Sequence, residues 1–211
     1  MEYLIQNDYQ QFKKDLQGLP HVQRTFPPNT EVPLTNKSYF VVAGRVIELL
    51  LLEDGREHAL VAYGPETIFP PLFSEPMQSK DELLCRTIQP TTLWCYDNTA
   101  LFNRAQMQPA FGKQLNQSYL NHINYYLNDI SQLLTESGIQ RLISFLVYYL
   151  NEHHPVDNLI PIRQKNIATL IAVNPTNMSR NIKKLKDAEL ISISGNGIRV
   201  LNPDALKTYL V

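Results

Sequence analysis

The stretch that most constrains the fold is NPTNMSRNIKKLKDAELISISGNGIRVLNP, residues 174–203. It starts a helix at a defined residue. Asn174 is a good N-cap, since its side-chain oxygen can accept an orphan backbone N–H of the first turn. Pro175 suits the first helical position, where its missing N–H costs nothing and its fixed φ favours helix. Met178, Ile182 and Leu185 follow at spacings of four and three, which puts them on one face. Thr176, Arg180, Lys183 and Lys184 gather on the opposite face, with Asn177 and Ser179 flanking it. After Leu190, ISIS and IRVL enclose Gly195-Asn196-Gly197, which reads as a β-hairpin. Upstream, residues 163–172 form a first helix with Ile167, Leu170 and Ile171 as its apolar stripe, and Val173-Asn174 is the turn.

Helix, turn, helix and hairpin in this order predict a winged helix-turn-helix that sets its second helix in the major groove of double-stranded DNA. Arg180 is placed to contact guanine O6 and N7, while Thr176, Asn177 and Ser179 reach base edges or phosphate. Lys183 and Lys184 supply attraction that is independent of sequence. A solvated basic helix on an all-α domain accounts for the charges but not for the order of elements.

Charge is distributed accordingly. Residues 1–136 carry 10 Lys and Arg against 15 Asp and Glu, whereas residues 137–211 carry 9 against 5. Four of those nine cations lie within residues 180–186, so a polyanionic partner is expected for the C-terminal third alone.

Residues 24–96 read as β. VVAGRVIELLLLEDGREHALVAY holds two apolar runs around Asp54-Gly55, a strong hairpin signal. ELLCRTI and TTLWCYD flank Gln89-Pro90-Thr91 as a second expected hairpin, and short strands at this spacing suggest a roll or barrel. From residue 99 to about 134 the pattern becomes helical, with Gly112 and Pro109 as its single glycine and proline. Leu120, Ile123, Leu127, Ile130 and Leu134 repeat at spacings of three and four, an a/d seam that Leu115, Tyr119, Tyr126 and Leu133 widen. That seam predicts a homodimer; a helix packed on its own domain is the plainer alternative. Thr135-Glu136-Ser137-Gly138 breaks the run and a new amphipathic helix begins at Ile139, ending at His153-His154-Pro155. The two histidines point apart on a helix end, so no metal site is assigned. The start of the chain has no basic segment leading into an apolar one, and the longest apolar runs fall short of the ~20 residues of a membrane span. A cytoplasmic protein with no membrane partner is expected.

Over nearly its whole length the chain resembles the Crp/Fnr superfamily of bacterial transcription regulators. Arg24-Thr25-Phe26-Pro27-Pro28-Asn29-Thr30 resembles the family's entry turn, Val42-Ala43-Gly44 its glycine-marked strand, and Asp54-Gly55-Arg56 its hairpin. RQKNIATLIAVNPTNMSRNIKKLKDAELIS fits the DNA-reading unit throughout. The resemblance implies an α+β fold: a cupin-like, cyclic-nucleotide-binding-like β-roll at 1–98, a dimerisation helix at 99–136, and a winged helix-turn-helix at 137–211. It implies a sequence-specific regulator, an activator in preference to a repressor, acting as a homodimer on a near-palindromic operator with RNA polymerase as a protein partner. Ser179-Arg180 match a Ser-Arg pair of Fnr-like members whose arginine reads guanine. Thr176 stands where Crp- and Fnr-like members carry a glutamate that accepts from cytosine, so a different operator is expected.

The effector is where the resemblance fails. Cyclic AMP binders carry a Gly-Glu-Leu turn and a phosphate-gripping Arg-Ser pair, which align with Phe69-Pro70-Pro71-Leu72 and Asp81-Glu82 here. Two carboxylates would repel a phosphate, which argues against cyclic AMP. Cys85 and Cys95 are the only cysteines, too few for the iron–sulfur cluster of the Fnr branch without help from elsewhere. With the turn centred on Pro90 they face one another across a hairpin as a redox pair; in a slipped register they are diagonal. Two buried, inert thiols are the plainer reading. No cofactor is identified, and an unknown small-molecule effector or none at all remains open. The competing function is a ligand- or redox-responsive binding protein whose winged helix contacts protein. No nucleophile elbow, phosphate-binding glycine loop or spaced metal ligands suggest an enzyme.

Overall fold

The computed structural model describes residues 3–70 and 81–209. These divide into two compact units, one of residues 3–55, 59–70 and 81–128, the other of residues 56–58 and 129–209.

The first unit is built on two four-stranded sheets. One has the order β1-β5-β4-β7, from Tyr3–Ile5 (β1), Val46–Leu51 (β4), Glu57–Tyr63 (β5) and Glu82–Thr87 (β7). The other runs β2-β8-β3-β6, from Val22–Phe26 (β2), Lys37–Ala43 (β3), Ile68–Phe69 (β6) and Thr91–Asp97 (β8). β1 lies parallel to β5, while β4–β7, β2–β8, β3–β8 and β3–β6 are antiparallel. A short helix, Lys13–Gln17 (α1), precedes β2.

Strand alternation sorts the side chains into two cores. Tyr39, Val41 and Leu93 join Val46, Val61, Tyr63, Phe69 and Cys85 in the core between the sheets. The alternate residues of these strands, Phe40, Trp94 and Tyr96, join Phe12, Leu16, Leu101 and Phe111 in a second core on the opposite side. Both faces of β3 and β8 are covered, which is why these strands read as continuous apolar runs. Gly44, between β3 and β4, has φ of +97°, and a Cβ there would meet the Pro90 carbonyl oxygen at 2.6 Å.

The expected Asp54-Gly55 hairpin joins β4 and β5, which are sheet neighbours. The expected hairpin around Pro90 does not form. β7 pairs with β4 and β8 pairs with β2 and β3, so residues 88–90 carry the chain from one sheet to the other. Cys85 therefore sits opposite Glu48, and Cys95 opposite Val22 and Tyr39, rather than opposite each other. Both thiols are free; Cys85 is buried and its thiol is pushed up by that burial, while Cys95 is half-buried.

The helical stretch also needs correction. It is two helices, Asn98–Met107 (α2) and Pro109–Thr135 (α3), because Gln108 adopts an extended backbone (φ −128°, ψ 96°) and Pro109 restarts the helix.

The second unit contains the end of α3 and the helix Gly138–His153 (α4). Ser137 starts α4 with a capping box: its hydroxyl accepts the Gln140 N–H, and its own N–H donates to Gln140 Oε1 at 2.9 Å. Leu142, Ile143, Phe145 and Leu146 form its buried stripe. His154 ends it in the left-handed conformation, and both histidines are exposed. The chain continues through Leu159–Ile160 (β9), Gln164–Leu170 (α5), Pro175–Asp187 (α6), Ile191–Ser194 (β10), Gly197–Val200 (β11) and Pro203–Thr208 (α7). β10, β11 and β9 form a three-stranded antiparallel sheet. Among the described residues no helix is long and apolar enough to cross a membrane.

Candidate nucleic-acid interface

α6 begins where the sequence predicts. The Asn174 side-chain oxygen accepts the Asn177 backbone N–H at 2.8 Å, and Pro175 occupies the first helical position. The turn before it is fastened by backbone and side chain together. Ala172 takes a positive φ of 50°, which lets the Val173 N–H donate to the Ala168 carbonyl at 2.9 Å. From α4, the Arg141 guanidinium donates to the Ile171, Ala172 and Glu136 carbonyls at 2.8, 3.2 and 2.7 Å. One planar cation thus ties the end of α5 to the start of α4, using the fixed fork of donors that lysine lacks.

Met178, Ile182 and Leu185 are buried, which orients the helix. Thr176, Asn177, Ser179, Arg180, Lys183 and Lys184 are all exposed on its other side. The six residues singled out from sequence therefore share one accessible surface. Ser179 differs from the rest because its hydroxyl donates back to the Pro175 carbonyl at 3.0 Å. Asn177 uses only its backbone N–H in the cap, which leaves its side-chain amide outside that contact.

β10 and β11 form the predicted hairpin, with Ser194 opposite Gly197 at its tip. Gly197 has φ of +141°, and a Cβ there would lie 2.0 Å from the Ile160 carbonyl oxygen. Glycine is required for β9 to approach β11 this closely.

α3 presents a second accessible face. Leu120, Ile123, Leu127 and Ile130 are 50–58% exposed, and Leu134 is 81% exposed. The seam residues thus lie uncovered on the single chain. Leu115 and Tyr126, expected to widen that seam, face the other way. Leu115 is buried in the second core, and Tyr126 packs against the core between the sheets. Tyr119 is half-buried against the second core, while Leu133 is 38% exposed. The inward side of α3 also carries buried Ser118 and His122, so polarity alone misassigns the faces.

That inward side makes a polar cluster that sequence reasoning overlooked. Glu48 of β4 is fully buried; Tyr126 donates to its Oε1 at 2.9 Å and the Tyr63 hydroxyl is hydrogen-bonded to its Oε2. Tyr63 also lies 3.2 Å from His122 Nε2, and His122 Nδ1 lies 2.7 Å from the Ser118 carbonyl. Burial pushes the Glu48 carboxyl up and the His122 imidazole down. The available signals were a lone acid within VIELLLL and a histidine four residues after a serine on one helical stripe.

Of the segments aligned with the cyclic-nucleotide cassette, Phe69 ends the strand β6, Pro70 follows it, and Pro71-Leu72 lie outside the described residues. Asp81 accepts the Glu53 backbone N–H at 3.1 Å, and Glu82 is exposed.

Residues 140–209 match the family model of the Crp-like helix-turn-helix domain. No curated protein sequence matches the chain. Solved structures similar to it include a protein assigned to the Crp/Fnr family of transcriptional regulators from Eubacterium rectale. That likeness has 18% identity, 95% of this chain and 94% of the other covered, and a TM-score of 0.76. The c-di-GMP responsive global regulator CLP of Xanthomonas campestris is 19% identical, with 86% and 94% covered and a TM-score of 0.73. FixK2 of Bradyrhizobium japonicum is 19% identical, with 90% and 97% covered and a TM-score of 0.67. At these identities the likeness establishes a shared fold.

Proposed function

Given that the chain carries a Crp-like helix-turn-helix domain on the fold of Crp/Fnr-type regulators, we propose that it is a homodimeric, sequence-specific DNA-binding transcription regulator. The observation that carries the reading is the division of α6 into a buried apolar face and an accessible one of Thr176, Asn177, Ser179, Arg180, Lys183 and Lys184. Each subunit sets α6 in the major groove. Arg180 specifies a guanine through O6 and N7, and the two lysines bind phosphate.

The exposed seam of α3 is the dimer face. Five large apolar side chains in a row are costly to leave in water, and a second copy of the same helix covers them with matching spacing. Two-fold symmetry then calls for a near-palindromic operator with half-site centres about 34 Å apart. Thr176 cannot accept from cytosine as a glutamate does, so the half-site differs from those read by members with that glutamate. By family resemblance the protein works in the cytoplasm as an activator that contacts RNA polymerase, and it performs no catalysis.

The test is selection of bound duplexes from a random DNA pool at two salt concentrations. A palindromic consensus is expected; recovery of unselected DNA that is lost evenly with salt would contradict specific recognition.

A further inference from the structure

Glu48, Tyr63, His122 and Tyr126 are joined by hydrogen bonds inside the first unit, and the directions of those bonds are restricted. The Ser118 carbonyl can only accept, so His122 Nδ1 carries a hydrogen. Tyr126 donates its hydrogen to Glu48 Oε1. The remaining links are Glu48 Oε2 to the Tyr63 hydroxyl and that hydroxyl to His122 Nε2.

Tyr63 has one hydrogen to give and two neighbours. If it donates to His122 Nε2, Glu48 must be protonated and donate to Tyr63. If it donates to Glu48, His122 Nε2 must carry a second hydrogen and donate to Tyr63. Both arrangements satisfy every link, and both hold one titratable proton. With no such proton, Nε2 and the Tyr63 oxygen face one another lone pair to lone pair. With two, the Tyr63 hydrogen has no acceptor among these four side chains.

We propose that this chain of side chains is a proton-binding site in which Glu48 is a neutral acid that donates to Tyr63, Tyr63 donates to neutral His122, and the single bound proton fastens α3 to the sheet.

Burial selects this arrangement over the charged one. Moving the proton to His122 would create a carboxylate and an imidazolium separated by a tyrosine, both desolvated, and desolvation disfavours each charge. Among the described residues, the groups shown against Glu48 include no lysine or arginine: β5 contributes Tyr63, α3 contributes Tyr126 and, through Tyr63, His122, and β7 places Cys85 opposite it. Glu31 is a further acid, which bears on the Cys85 thiol along with Glu48. Loss of the proton therefore leaves an uncompensated carboxylate beneath α3. The consequence for regulation rests on the dimer reading above. His122 and Tyr126 are on the inward side of the helix whose outward side carries Ile123 and Leu127, so the site links proton occupancy to the seating of the dimer face.

The full chain labelled with side-chain ¹³C-carboxyl glutamate and ¹⁵N-imidazole histidine tests this by NMR at neutral pH. Glu48→Gln and His122→Gln assign the signals. Glu48 is expected at the position of a carboxylic acid, and His122 with a proton on Nδ1 alone. A carboxylate position for Glu48, or protons on both nitrogens of His122, would overturn the proposal. Glu48→Gln should fold, because its amide donates to Tyr63 and accepts from Tyr126 as the neutral acid does; an unfolded variant would also contradict it. Neither measurement involves DNA or dimerisation, so the result stands apart from the fate of the proposed function.

Discussion

The Asn174 side-chain oxygen accepts the backbone N–H of Asn177 at 2.8 Å, one residue before Pro175 opens α6. The contact replaces water at one of the orphan donors of the first turn and fixes where the accessible face begins. Asn174→Ala should lower stability by about 1 kcal/mol in denaturant unfolding, and Asn174→Asp should restore most of it. Equal losses in the two variants would mean that the cap contributes little.

Lys183 and Lys184 are exposed on the same face as Arg180. As phosphate contacts, each should weaken binding to every duplex alike when replaced by alanine. Each replacement should also reduce the slope of log affinity against log salt by about 1. An unchanged slope would show that these side chains do not reach the backbone.

Leu127 is 58% exposed at the middle of the α3 seam. Leu127→Asp should yield monomers by sedimentation and abolish tight operator binding, while leaving the fold intact, since this side chain belongs to neither core. A variant that sediments as a dimer would place the interface elsewhere.

The Glu48 site has a pH signature of defined sign. Burial raises the Glu48 carboxyl above its ordinary value of 4.5, so its contribution to stability is fully present below 4.5 and is lost as pH rises through the raised value. Burial lowers His122 below its ordinary 6.5, so its contribution is present above 6.5 and is lost as pH falls through the lowered value. Glu48→Gln removes the first dependence and keeps the second. Relative to the wild type it should gain by up to about 1.4 kcal/mol per pH unit above the ordinary glutamate value, until the folded carboxyl ionises. A Glu48→Gln protein that is less stable than wild type at neutral pH would indicate a charged Glu48 instead.

The helix-turn-helix was legible because its signals are local. An N-cap, a proline at the next residue and a three-four apolar stripe act within one helix, and α6 follows them from Pro175 to Asp187. The β-roll was legible as a class, yet the pairing of β7 was not. A short connection between two apolar runs looks the same whether it closes a hairpin or crosses between sheets, and here β7 pairs with β4. The cysteine register failed for that reason alone. α3 was misread at its edges because its inward side buries Ser118 and His122 along with Leu115. Polar residues mark solvent only where no partner awaits them, and the Tyr63 hydroxyl against His122 and the Glu48 carboxyl against Tyr126 lie 59 and 78 residues away. No window along the chain contains both ends of such a contact. Arg141 escaped notice likewise, since the carbonyls it binds at Ile171 and Ala172 lie 30 and 31 residues on.

The most direct test of the account is a base-pair scan of the selected operator, with affinities measured for the wild type and Arg180→Ala at fixed salt. Arg180→Ala should cost about 1–3 kcal/mol on the consensus duplex, and should cost little further when one particular G·C pair in each half-site is changed. A loss that is the same at every position would contradict the central claim, because it would make Arg180 a phosphate contact and leave α6 without its principal reader of sequence.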